Sequence, residues 1–110
     1  MIPSQMLKGV LEGCILEVIR QEETYAYEIS EKLKSFGFGD ISEGTIYPII
    51  LRLNTQGFLE SKMRKSPIGP KRKYYRLTQA GEEKLIQFKK DWTAITHAID
   101  RLFEGGINNG

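Results

Sequence analysis

The chain of 110 residues holds one cysteine, one histidine and one tryptophan. A lone Cys14 excludes an internal disulfide framework and cysteine-rich zinc sites. It falls on an apolar helical stripe, where it reads as a small core residue. A lone His97 excludes a histidine cluster. His97, Asp100 and Glu104 fall at i, i+3 and i+7, but three polar residues on a solvated helix face are far commoner than a metal site. No metal and no other cofactor is expected. There is no glycine-rich phosphate loop of the usual spacing and no nucleophile elbow, so no enzyme is expected. Long apolar runs are also missing. The stretch from Val10 to Ile19 is interrupted by Glu12 and Glu17 and is too short to span a bilayer. Met1-Ile2-Pro3-Ser4-Gln5 lacks the basic and apolar regions of a signal peptide. These absences point to the cytoplasm and away from a membrane partner.

What is present fits a globular domain. About 40% of residues are apolar and 27% charged, ordinary values for a soluble fold. So short a chain buries a smaller fraction of its surface than a larger one, and burial against a partner subunit would help. The net charge of +2 is unevenly placed. Residues 60–76 hold seven bases (Lys62, Arg64, Lys65, Lys71, Arg72, Lys73, Arg76) and one acid (Glu60), leaving the rest of the chain at −4. Such a patch suits either a polyanion contact or a solvated hairpin whose charges block edge-to-edge aggregation.

Periodicity divides the chain. Ser4 is placed to cap a first helix to about Gln21, with Leu7, Val10, Leu11, Cys14, Ile15, Val18 and Ile19 forming one stripe. Gly9 and Gly13 lie on another face and would allow close approach of a helix or of a nucleic-acid backbone. A second helix spans about Tyr25 to Phe36, with Ala26, Ile29, Leu33 and Phe36 on one face, and Gly37 stops it. A third ends near Gln56-Gly57. Phe58–Lys65 and Lys71–Leu77 then alternate as strands around Ser66-Pro67-Ile68-Gly69-Pro70, an antiparallel hairpin. Thr78 caps a last helix. Leu85, Phe88, Trp92, Ile95, Ile99 and Leu102 recur there at heptad spacing, a narrow seam that wants another helix. The best candidate is its own copy in a second subunit, together with the first helix. Residues 105–110 are expected to be a disordered tail.

Thr45-Ile46-Tyr47-Pro48-Ile49-Ile50-Leu51-Arg52-Leu53 raises a conflict within the third helix. Ile46, Ile49, Ile50 and Leu53 have helical spacing, yet Pro48 has no N–H to donate and its ring clashes with the carbonyl four residues back. If Ser42 is the N-cap, Pro48 lies in the second turn. If Thr45 is the cap, its missing N–H removes only an orphan donor. A helix starting from Ser42 and bent or loosened at Pro48 accounts better for the spacing from Glu43.

Three helices, a hairpin and a long helix make a mainly α fold with a small β-hairpin. It is a winged helix-turn-helix over residues 4–77 followed by a dimerisation helix over 78–104. In that arrangement the start of the third helix meets DNA and the wing reaches the flanking backbone. Ser42, Thr45 and Tyr47 can bond to phosphate or base edges, Gly44 lets backbone approach, and Glu43 either accepts from cytosine N4 or stabilises the helix start. Lys65, Lys71, Arg72 and Lys73 on the wing are phosphate contacts. Arg76, nearer the body of the sheet, could instead be a structural ion pair.

Several segments are recognisable together. They are Tyr25-Ala26-Tyr27-Glu28-Ile29, then Glu43-Gly44-Thr45-Ile46-Tyr47-Pro48 with Arg52-Leu53 and Gly57. Arg72-Lys73-Tyr74-Tyr75-Arg76-Leu77-Thr78 with Ala80-Gly81 follows. In this order the chain, from about 6 to 104, resembles the PadR family of bacterial transcriptional regulators. It departs mildly at Ala26 and Ile46, where the family more often has glycine and leucine, and near Asn54-Thr55. The resemblance implies a homodimeric winged-helix repressor on a palindromic double-stranded operator. It adds Tyr27 and Pro48 to the DNA-binding candidates. The single C-terminal helix is similar to the short subgroup of the family. Phe88-Lys89-Lys90-Asp91-Trp92 with Ile95 and Ile99 resembles a multidrug-responsive regulator within it. That resemblance implies a small planar aromatic effector stacked on Trp92, lined by Phe88, Asp91 and Ile95. The seam position equally fits Trp92 as an interface anchor. A winged helix can also serve as a protein-interaction module without DNA binding.

Overall fold

The structure is a computed structural model and describes residues 2–109. Its elements run α1 (Ser4–Leu7), α2 (Leu11–Gln21), α3 (Ala26–Ser35), α4 (Glu43–Thr55), β1 (Leu59–Lys65), β2 (Lys71–Leu77) and α5 (Gln79–Asn109). The architecture is the expected one: three main helices, a two-stranded antiparallel hairpin and a long last helix.

Two boundaries differ from the sequence expectation. The first helix is broken at residues 8–10, where Val10 has φ −123° and ψ −14°. Ser4 caps nothing; α1 follows Pro3 and has no side-chain cap. The apolar period continues through the break, but Gly9 supplies little helix propensity. At the other end α5 continues to Asn109, past the tail expected from 105; each residue added to an existing helix closes one further local hydrogen bond. Gly110 lies outside the described residues.

The core joins α2, α3, α4, the base of the hairpin and the start of α5. Ile15, Leu16, Ile29, Ile46, Ile50 and Leu53 are fully buried. Cys14 is half-buried beside this cluster, and burial raises its thiol pKa. Phe36, expected on the buried face of α3, is 66% exposed instead. It is the C-cap, already past the face that meets the core.

Two helix ends use one device. Gly37 (φ 100°) follows α3 and Gly57 (φ 86°) follows α4, a conformation in which a Cβ is strained. In each, the glycine and the next phenylalanine return N–H groups to the last turn: Gly37 to Lys34 and Phe38 to Leu33, Gly57 to Asn54 and Phe58 to Leu53.

The start of α5 is locked to this second turn. Thr78 Oγ1 donates to the Gly57 carbonyl at 2.7 Å and accepts from Gly81 N at 3.1 Å. Its own N–H donates to the Phe58 carbonyl at 3.1 Å. A Cβ on buried Gly81 would collide with that same carbonyl oxygen. One Cβ on Gly13 of α2 would likewise overlap the Phe88 ring of α5. The close approach that Gly13 permits is therefore to α5 of its own chain; Gly9 has nothing within 4 Å.

Ion pairs also tie α5 to α2. Glu17 accepts from Arg20 at 2.8 and 2.9 Å and pairs with Lys89 of α5 at 3.1 Å. Arg20 is the main cause, ahead of Gln21 and Lys89, that its carboxyl is lowered to about 2, while partial burial opposes the shift. A depressed carboxylate contributes fully above its unfolded pKa, and the contribution is lost as pH falls through the folded value. Glu17→Gln should therefore flatten the acid limb of stability between about pH 5 and pH 2. The loss at neutral pH should be under about 1 kcal/mol, because the pair faces solvent. Denaturant titrations across pH test this; an acid limb as steep as the parent's would refute it.

The molecule measures 59 × 29 × 20 Å, with a radius of gyration of 16.4 Å. A compact chain of this length would have about 13 Å. The excess is α5, about 46 Å long at helical rise, whose distal half projects from the body.

Candidate nucleic-acid interface

The third helix starts where its cap residue directs. Ser42 is the N-cap of α4, its Oγ accepting from Thr45 N at 3.3 Å, so the Thr45 alternative falls away. Pro48 is the sixth helical residue and lies inside a continuous helix. It leaves the Gly44 carbonyl without its usual partner, and Gly44 is exposed, so water can serve that oxygen. Ile46, Ile50 and Leu53 anchor α4 in the core, while Ser42, Glu43, Gly44, Thr45, Tyr47 and Pro48 are all exposed.

The wing is anchored beside that helix end. β2 pairs with β1 along its length and bridges Thr24, with Tyr75 N donating to the Thr24 carbonyl at 2.8 Å. The register sets Arg64 opposite Arg72 and Lys65 opposite Lys71. Like charges directly opposite destabilise a hairpin, and here the charge of Arg64 is offset within the fold.

The seven bases divide by contact. Arg64 stacks 3.8 Å from the Tyr74 ring centroid and donates to Glu23 at 3.1 Å. Arg76 pairs with Glu60 at 2.6 Å and Glu23 at 3.8 Å, which makes it the structural ion pair. Arg72 lies over the Tyr25 ring at 5.0 Å. Lys62, Lys65, Lys71 and Lys73 are exposed and make no ion pair among the described residues.

Between wing and helix lies a cleft of about 250 Å³. It brings together six of the expected residues, Tyr27, Glu43, Tyr47, Lys71, Arg72 and Lys73, with Tyr25, Ala26, Met63 and Tyr75. Ser42, Gly44, Thr45, Pro48 and Lys65 do not line it; the first four share the exposed start of α4, and Lys65 sits at the wing tip. Tyr25, Met63 and Tyr75 were missed by sequence reasoning. Strand alternation was the available signal, since it places Tyr75 on the face of Lys71 and Lys73. Tyr27 has its pKa raised, chiefly by a bond to the Glu31 carboxylate, so its hydroxyl stays protonated. The tip carries an unexpected group: Ile68, 84% exposed beyond a turn closed by Ser66 Oγ donating to the Pro70 carbonyl at 3.0 Å.

A protonated, cationic cleft beside a helix start is an arrangement for reading a polyanion. The model of the PadR-like transcriptional regulator family matches residues 15–87, two thirds of the chain. The chain belongs to the PadR-like family of transcriptional regulators. It is similar to a PadR-like regulator from Bacillus cereus, 49% identical over 90% of this chain and 96% of that one, with a TM-score of 0.82. A Streptococcus transcriptional regulator is 42% identical over 89% and 96%, also at 0.82. Bacillus subtilis PadR, solved in complex with operator DNA, is 28% identical over 76% of this chain and 46% of that one, at 0.62. PadR-like family members are transcriptional regulators, not enzymes. Among the described residues no group of three His, Cys, Asp or Glu side chains is placed to hold a metal, and no helix is long and apolar enough to cross a membrane.

The effector and dimer candidates all lie on α5. Leu85 is buried in the chain's own core and Phe88 is packed on Gly13. Trp92 (49%), Ile95 (54%), Ile99 (42%) and Leu102 (71%) are exposed. Asp91 accepts from Gln87 at 2.9 Å.

Proposed function

We propose that this PadR-like regulator binds DNA directly, as a homodimeric repressor on a palindromic operator. The cleft carries the reading: exposed Lys71 and Lys73 of the wing line it together with Glu43 and Tyr47 of the capped α4. The Bacillus subtilis relative's complex with operator DNA supports it. In a dimer the two copies of α4 would sit about one DNA turn, roughly 34 Å, apart. The test is a binding titration on the gene's own upstream region across a salt series. Lys71→Ala should weaken binding to every duplex by a similar factor and lower the log–log salt slope by about one. A change at Thr45 or Tyr47 should alter sequence preference instead. Unchanged affinity in Lys71→Ala would remove the wing from the interface. A chain that binds no duplex at any salt would favour a protein-interaction module.

Release by a planar aromatic effector belongs to the same proposal. Trp92 is the only tryptophan and stands half-exposed on the seam, so a stacked ligand would quench its emission. Titration with a planar cationic dye should quench Trp92 and weaken operator binding together; an unresponsive spectrum would leave Trp92 as an interface anchor.

A further inference from the structure

Two buried side-chain polar atoms lack a hydrogen-bond partner among the described residues: Arg72 Nε and the Tyr75 hydroxyl. Both residues line the cleft between wing and α4. Buried polar groups left unpaired are few in native proteins because each costs its desolvation, so two in residues that line one cleft point to missing partners. We propose that this cleft is a seat for the phosphate backbone of DNA, with the Tyr75 hydroxyl donating to a phosphate on the face of Lys71 and Lys73, and the Arg72 guanidinium, positioned by Tyr25, a second donor from the alternate face of β2. The proposal rests on the DNA-binding reading and adds the atoms that hold the backbone.

The chemistry of the cleft selects an anion. Tyr75 is 2% exposed, and its pKa is pushed up to about 12, by burial first and by adjacent Tyr47 second. It therefore keeps its proton at neutral pH. Arg72 lies over the Tyr25 ring, which in turn meets Tyr74 edge-on at 5.1 Å and 60°. Stacking fixes the plane of a guanidinium, whose fork matches two phosphate oxygens. Tyr47 adjoins the Tyr75 hydroxyl without forming a well-shaped hydrogen bond and is 43% exposed. An exposed side chain changes rotamer in picoseconds to nanoseconds, so Tyr47 can turn aside and open the seat. Glu43 also lines the cleft, and its carboxylate opposes an anion there, against the three bases Lys71, Arg72 and Lys73.

The experiment uses the full chain with Tyr75→Phe, titrated onto an upstream-region duplex and an unrelated duplex of equal length. Affinity should fall about tenfold on both, since a phosphate contact carries no sequence information. The salt slope should not change, because no charge is removed; Arg72→Gln should lower it by about one. The thermal midpoint of free Tyr75→Phe should stay level or rise, because an unpaired buried hydroxyl is gone. A neutral methylphosphonate at one position per half-site should weaken the parent and leave Tyr75→Phe no weaker than before. Parental affinity in Tyr75→Phe, or additive losses at every methylphosphonate position, would overturn the seat. A parent that binds neither duplex would overturn the DNA-binding reading itself. A rise in thermal midpoint with inorganic phosphate at constant ionic strength, lost in Tyr75→Phe while that variant keeps parental affinity for both duplexes, would mark a small-anion site and overturn the assignment to DNA.

Discussion

Gly81→Ala should lower stability by about 3 kcal/mol or more, the upper range for overpacking a tight site. In an exposed helix the same change gains about 1 kcal/mol. The sign reverses because the new Cβ would collide with the Phe58 carbonyl oxygen. That oxygen cannot retreat cheaply. It accepts the Thr78 N–H at 3.1 Å, and Thr78 in turn caps Gly81 and holds the Gly57 carbonyl at 2.7 Å. Relieving the overlap would break the lock between the end of α4 and the start of α5. At about 4 °C per kcal/mol for a chain near 100 residues, the midpoint should drop roughly 12 °C. Gly105→Ala on the same helix is the control, since nothing lies within 4 Å of its Cβ, and it should be neutral or stabilising. Both are measured by thermal unfolding at one protein concentration. Equal midpoints for the two variants would show that the close approach at Gly81 has no energetic weight.

Ser42 and the two glycine stops could be read in the sequence because caps and stops depend on the few residues beside them. The hairpin limits followed equally well, since alternation and the proline-glycine turn are local signals. Where the period alone was used, it misled. The apolar stripe from Leu7 to Ile19 is unbroken as a pattern, yet the helix stops between Leu7 and Leu11. At the interface the types of residue were legible and their partners were not. Arg64 looks as free as Lys71 in the sequence, and Arg76 differs from them only by its place nearer the body of the sheet. Only the fold brings Glu23, 41 residues before Arg64, to hold the two arginines. The orphaned Tyr75 hydroxyl is further from view, because it depends on how α4 lies against β2. Local chemistry was written in the chain order; the division between paired and unpaired bases was a product of tertiary contact.

Ile95→Glu combined with Ile99→Glu should abolish dimerisation and lower operator affinity by about 10²-fold or more, the loss expected when two linked half-site contacts become independent. Ile95 and Ile99 are 54% and 42% exposed within one chain, so the substitution removes little from the chain's own core. Glutamate is a good helix former, and α5 should remain helical. What the charges remove is the seam. Trp92, Ile95, Ile99, Leu102 and Phe103 are all exposed on the part of α5 that projects beyond the body. So much apolar surface on one helix marks an interaction site. Phe88 extends it into an apolar groove of about 360 Å³ shared with α2, Phe36 and Phe38, where a second copy could continue the packing. Sedimentation should report a monomer with parental helix content, and the salt slope on operator DNA should fall to about half, because one wing and one helix remain per complex. A variant that stays dimeric would place the partner elsewhere. A monomer that keeps full affinity and slope would mean that a single cleft suffices for binding, and that the spacing of two copies of α4 sets nothing.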